Sequence, residues 1–217
     1  MYDLEDAINY RRSTRLFRRN KPVPAELVTE ALELAVRAPS NSNVQPWHVV
    51  FVSGTARDRL ANALIAEADN AAPNVPALPE SFAHLRRELG ALVYGSMGIA
   101  RDDVEARHLA VLRNWDFFGA PLAGIVCMHR DLDYVDALGV GMFLQTFLLA
   151  LTARGLGSCV QVSVAGYPET LRAELGIGEE YRILCGVAVG YPVEQFAANN
   201  LDIPRNRIED NVRFVGD

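Results

Sequence analysis

The stretch "ALGVGMFLQTFLLALTARG" (137–155) constrains the fold more than any other part of the chain. Its apolar residues surround the helix axis instead of forming one stripe, and a helix that is apolar all round must be buried. Gly139, Gly141, Gln145 and Thr146 interrupt it, so it falls short of the ~18–20 continuous apolar residues of a bilayer crossing. It is expected to be a core helix spanning about 136–154. The short apolar runs "WHVVFVS" (47–53), "LAGIVCM" (122–128), "GSCVQVS" (157–163) and "YRILCGVAVG" (181–190) supply strands for it to pack on. The first of these reads as buried on both faces.

Helices alternate with these strands. Asp3 caps a short helix to residue 10, and Pro24 opens another that Pro39 ends. Thr55, with Asp58 three residues on, is expected to cap a third over 55–68. Three prolines make 70–80 irregular; polar helices are expected over 80–94 and 101–113, and a last one at 168–175. This order gives a single layered α/β or α+β domain. Residues 191–217 are polar and irregular except for the closing "VRFV", which is expected to pair with a sheet, its own or a partner's.

Charge narrows the function. The chain has 27 acidic and 21 basic residues, a net charge of −6, which argues against nucleic-acid and membrane-surface partners. Cys127, Cys159 and Cys185 sit singly in apolar runs, which suits buried thiols in a reducing, cytoplasmic setting. The acidic start "MYDLED" does not read as a secretion signal. Walker A, GxSxG, HExxH and complete dinucleotide fingerprints do not occur, and "EARH" (105–108) reads as a salt-bridged surface helix, with no metal site expected. Without a side-chain triad or paired carboxylates, an enzyme built on this chain relies on a cofactor.

Two polar segments are the candidates for holding one. In "RRSTR" (11–15), Arg11, Ser13 and Arg15 alternate just after a short helix, and guanidinium forks with a hydroxyl suit a phosphate. Alone, those residues read as a solvated charge run first. The loop "APSNSNVQPW" (38–47) presents Ser40, Asn43 and Gln45 between a helix and a strand, as a ligand loop or a capped turn.

In this order, the two segments resemble the flavin-binding signature of the nitroreductase family. "NWDFFGAP" (114–121), 141–161, "YPETLRAELGI" (167–177), "GVAVGYP" (186–192) and "PRNRIEDNVRF" (204–214) extend the likeness to its nitrobenzoate-reductase-like branch. The resemblance implies an α+β, three-layer α/β/α sandwich with a central mixed, mostly antiparallel sheet, in an intertwined homodimer. FMN would lie at the subunit interface, and the tail 191–217 would cross to the partner, bringing Arg205 and an edge strand. By motif, Arg11, Arg12, Ser13, Arg15 and Arg205 would hold the FMN phosphate and ribityl chain. Pro39, Ser40, Asn41 and Asn43 of the other subunit would lie beside the ring with Gln45 behind, and Gln161 and Ser163 near N5. Val160 departs from the pattern, standing where proline is expected. Arg18 and Arg19 would meet only water. Trp115, Phe117 and Phe118 are candidates for a substrate cleft that a variable lid, 70–113, would roof; Phe118 reads equally as a core anchor.

The implied activity is two-electron, ping-pong hydride transfer from NADH or NADPH through flavin N5 to nitroaromatic or quinone-like acceptors. Reductive dehalogenation, ene reduction and flavin-consuming ring fragmentation share this fold, and a non-catalytic FMN-binding module is the reading from another class.

Overall fold

The computed structural model describes residues 3–216. Its helices are α1 (Leu4–Tyr10), α2 (Ala25–Ala35), α3 (Gly54–Asn70), α4 (Ala83–Ser96), α5 (Val104–Leu112), α6 (Tyr134–Ala153), α7 (Pro168–Leu175) and α8 (Ile208–Asn211). The strands are β1 (Trp47–Ser53), β2 (Leu122–His129), β3 (Gly157–Gln161) and β4 (Tyr181–Gly190), in the sheet order β1-β2-β4-β3. Every ladder is antiparallel. Among the described residues, the parallel component of the expected mixed sheet is a single bridge between Ser13 and Ser158 on the free edge of β3.

Strand alternation sends two sets of side chains to opposite faces. Phe51, Val187 and Val189 meet Phe143, Phe147 and Leu151 of α6 and Val28 and Ala31 of α2. On the other face, Ala123, Ile125, Cys127 and Ala188 meet Leu60 and Leu64 of α3 and Leu171 of α7. The result is the expected α/β/α sandwich. The 20-residue α6 has the length and apolarity of a membrane span, more than its sequence reading allowed, yet its rings pack into this core. A reciprocal capping box between Asp133 and Asp136 starts it.

Three expectations change. The helix α3 begins one residue before Thr55, at Gly54, and its N-cap, Ser53, makes no side-chain capping bond. Asp58 is committed elsewhere, to Arg57 at 3.0 Å and Arg19 at 3.6 Å. The strand β1 is half-buried, because it lies at the sheet edge with one long side unpaired. Finally, β3 stops at Gln161 and the chain turns through Val162–Gly166 in a 3₁₀ helix. Val164 of that turn lies within 3.0 Å of where a Cβ on Gly186 would stand, so glycine in β4 is what lets the turn close over the sheet.

The closing "VRFV" forms no strand with its own sheet: Phe214 and Val215 are 90% and 85% exposed. All three cysteines are free and buried, and burial pushes Cys127 and Cys159 up to about 11 and Cys185 to about 12. Their thiolate forms therefore appear only in strong alkali. The folded protein at pH 8 should leave all three thiols unlabelled by iodoacetamide, and urea should make all three react; labelling of the native protein within minutes would contradict this burial.

Candidate flavin site

The "RRSTR" segment lies along the outer edge of β3. The Arg11 N–H ends α1 by donating to Ala7 O (3.0 Å), and Thr14 N donates to Ser158 O (2.9 Å). Thr14 is buried, while Ser13 and Arg15, its neighbours in an extended chain, point away from it. Asn199 fixes the next residues. Its Oδ1 accepts from Arg15 N (2.6 Å) and Leu16 N (3.2 Å), and its Nδ2 donates to Leu16 O and Val193 O, both at 2.9 Å. Arg113 braces the same strand by donating to Arg15 O, its guanidinium 5.0 Å from the Phe196 ring centroid.

Arg11, Arg12, Ser13, Arg15 and Arg205 all line one cavity of about 640 Å³, with Leu89, Gln145 and Asp202 also on its walls. Among the described residues, none of these four arginines forms an ion pair with a carboxylate. Several positive charges and one hydroxyl thus face a common space, and Asp202 is the one acidic residue among its described lining residues. Such a donor set suits a phosphate, which accepts several charge-assisted hydrogen bonds at once. Within this chain Arg205 borders the same cavity as Arg11 and Arg15, and Asn199 ties the start of the tail to "RRSTR".

The second segment is elsewhere. Asn41–Asn43 form a 3₁₀ turn, and Ser42 and Asn43 within it and Gln45 just after it have left-handed φ of 47°, 57° and 51°. The turn is held by Gln45 N donating to Ser40 Oγ (2.9 Å) and Asn43 N donating to Ser40 O (3.1 Å). Three non-glycine residues in this region are strain that the surrounding contacts must offset, a feature common at ligand clamps. Pro39 borders a different cavity, formed with Tyr134, Leu138 and Met142 of α6. Gln145 of α6 borders both cavities, so the two adjoin at this residue. Tyr134, Leu138, Met142 and Val44 leave an exposed apolar surface around the Pro39–Asn43 loop.

Gln161 is buried at the end of β3; its Nε2 donates to Asn114 O (2.6 Å), and its Oε1 has no hydrogen-bond partner among the described residues. Ser163 is half-buried in the turn that follows. Val160 is half-exposed and in register with Val187, so the strand runs straight through the position expected to hold proline.

The aromatic cleft candidates are corrected. Trp115, Phe117 and Phe118 are all buried in the core with Leu60, Leu64 and Ile125, and line neither cavity. A tight turn, with left-handed φ at Phe117, Phe118 and Gly119, folds the rings inward. Nor do Arg18 and Arg19 meet only water. Arg18 pairs with Glu194 (3.4 Å), and Arg19 pairs with Asp58 and with Asp116.

The sequence reading missed Asn199, Arg113 and Gln145. A single asparagine in a polar tail and an arginine at a helix end carry no periodic signal; only the contact made over 184 residues of separation identifies Asn199. Replacing Asn199 with alanine should cost about 2 kcal/mol, because the Arg15 and Leu16 amides lose their acceptor and the Leu16 and Val193 carbonyls each lose one of two donors. Urea unfolding checks the value, and a loss below 0.5 kcal/mol on the same scale would contradict the bracing role.

Comparison with known proteins decides the family. The family model described as "Nitroreductase family" matches residues 8–191. The chain belongs to the nitroreductase family. It is 38% identical to nitroreductase NfnB of Mycolicibacterium smegmatis, over 97% of this chain and 92% of that protein. It is 34% identical to a 4-nitrobenzoate reductase of Pseudomonas putida, over 99% and 96%. The crystal structure of the FMN-dependent NfnB from Mycobacterium smegmatis in complex with NADPH superposes with a TM-score of 0.90 at 36% identity, covering 98% of this chain and 97% of that one. The FMN- and NADPH-dependent NfnB from Sphigopyxis sp. strain HMH gives 0.94 at 31% identity, covering 99% and 100%. These relatives lie in the nitrobenzoate-reductase-like branch, as the motifs imply.

Proposed function

We propose that the protein is an FMN-dependent NAD(P)H oxidoreductase that reduces nitroaromatic or quinone-like acceptors. The convergence of Arg11, Arg12, Ser13, Arg15 and Arg205 on one cavity without carboxylate pairing carries this reading. The donor set fits a terminal phosphate monoester, and the family's solved members named above are FMN-dependent. In that fit, Arg11, Arg15 and Arg205 neutralise the phosphate, Ser13 adds a hydroxyl, and Asn199 and Arg113 hold the strand that presents them. Bound FMN supplies the hydride-accepting and hydride-donating chemistry. The chain contributes position and a site shielded from water.

The protein is read as a homodimer. Pro39, Ser40, Asn41 and Asn43 do not line the arginine cavity of their own chain, and the loop of a second chain is proposed to complete it. The exposed Tyr134, Leu138, Met142 and Val44 and the uncovered tail residues Phe214 and Val215 supply apolar surface for such an interface. Gln161 and Ser163 then stand at the ring end of the site, and the segment 70–113 forms its roof. Three unpaired buried thiols suit a reducing, cytoplasmic compartment.

The purified protein should be yellow, release FMN on denaturation, and oxidise NADPH when 4-nitrobenzoate is added. Colour without turnover for any nitroarene or quinone would favour a binding module, and a colourless protein that cannot be loaded with FMN would overturn the proposal. One cleft serving donor and acceptor in turn predicts parallel double-reciprocal plots at several fixed acceptor concentrations. Intersecting plots would mean that both bind together.

A further inference from the structure

Both ends of the segment 70–113 are tied to the candidate site. At its far end, Arg113 donates to Arg15 O within the arginine-bearing strand. At its start, the Tyr167 hydroxyl donates to Ala71 O (2.6 Å), and Asn74 N donates to Gly166 O (3.0 Å). Pro73 lies so close to Gly166 that a Cβ on that glycine would stand 2.4 Å from Pro73 Cβ, which only an absent side chain accommodates. Gly166 ends the 3₁₀ turn that starts from Gln161, and Tyr167 comes directly after it. The Tyr167 ring is buried against Trp115, centroids 5.7 Å apart, and Trp115 adjoins the Asn114 carbonyl that accepts the Gln161 amide. Burial, then the nearby Glu67 carboxylate, pushes the phenol above its usual range, so it remains a donor at neutral pH. Between the two ties, Leu89 of α4 forms part of the wall of the arginine cavity.

We infer that Tyr167 is a positioning residue: its hydroxyl, with the close seat of Pro73 on Gly166, fastens the start of the lid to the Gln161 turn and sets how the lid closes over the site. Tyr167 touches neither the arginine cavity nor the Pro39 cavity, so it acts through the lid alone. The inference rests on the oxidoreductase reading only for its kinetic consequence; the mechanical part stands on the contacts above.

The test compares Tyr167→Phe and Gly166→Ala with the parent protein, all loaded with FMN. The first removes one hydrogen bond and keeps the ring; the second keeps the hydroxyl and expels Pro73. Both should speed tryptic cleavage after the exposed lid residues Arg86, Arg87 and Arg101 by about tenfold, the change in open population that one buried hydrogen bond supports. Both should raise the KM for 4-nitrobenzoate by about as much, leaving kcat within about twofold and FMN retention unchanged. Unaltered lid cleavage in both variants would overturn the inference. So would cleavage that accelerates equally at the buried Arg57 and the half-buried Arg172, outside the lid, or FMN loss in step with the change in KM. If the loaded parent protein reduced no acceptor, the activity reading would fail on its own, and the cleavage arm would still decide the latch.

Discussion

Asp116→Ala is expected to cost about 3 kcal/mol of folding stability, the lower end of the range for removing one partner of a buried ion pair. The Arg57 side chain is only 3% exposed, and its guanidinium pairs with Asp116 Oδ1 at 2.9 Å, donates to Asp116 O, and lies 5.7 Å from the Phe117 ring centroid. Without the carboxylate, Arg57 keeps the Asp116 carbonyl and one ion pair, to the far more exposed Asp58, and among the described residues its Nε already has no hydrogen-bond partner. Arg19 loses its contact with Asp116 as well. The consequence reaches the site, because the same turn carries the Asn114 carbonyl that fixes Gln161. Urea unfolding measures the loss. A double variant, Arg57→Met with Asp116→Ala, should recover part of it, since removing both charges leaves no stranded guanidinium. A single variant within about 1 kcal/mol of the parent would mean that the pair does not stabilise this turn.

Arg11→Ala should weaken FMN binding about a hundredfold, by leaving a phosphate partly unpaired in a shielded cavity. Arg205→Ala should act in the same direction, because both residues line that cavity. Arg18→Ala serves as the control: the residue is exposed, its partner Glu194 more so, and neither lines the cavity. Fluorescence titration of the apoprotein reads all three constants. Equal affinity for FMN in the parent and in both the Arg11 and Arg205 variants would remove the phosphate assignment.

Wherever a local pattern decides the outcome, the fold is legible in the sequence. The apolar run of α6, the strands β1, β2 and β4, and Pro168 opening α7 follow from periodicity and capping chemistry. The start of α3 is not legible, because Asp58 has a choice between capping its helix and pairing with Arg57 and Arg19, and the ion pairs prevail. The end of β3 depends on Val164 folding over Gly186, a contact between distant segments. Around the candidate site, "RRSTR" is legible as a cluster of donors and Arg205 through its motif, and both line one cavity; "PSNSN" is legible as a polar turn and lies apart from that cavity. Trp115, Phe117 and Phe118 mislead because an aromatic run before a strand is compatible with either a cleft wall or a core, and the left-handed turn that buries the rings has no single-residue signature. Asn199 and Tyr167 act through carbonyls and amides far away in the chain, which no local pattern encodes.

In the proposed dimer each FMN site is shared, with arginines from one chain and the Pro39–Asn43 loop from another. Mixed dimers test it most directly. One subunit carries Arg11→Ala with Arg205→Ala, and the other carries Ser40→Ala with Asn43→Ala; differently tagged, they are co-expressed and purified through both tags. Shared sites place both defects in one site and leave the other intact, so the mixed dimer should hold one tightly bound FMN, whereas each variant homodimer holds none. A mixed dimer that also binds no FMN would mean that every chain builds its site alone, and would contradict the account.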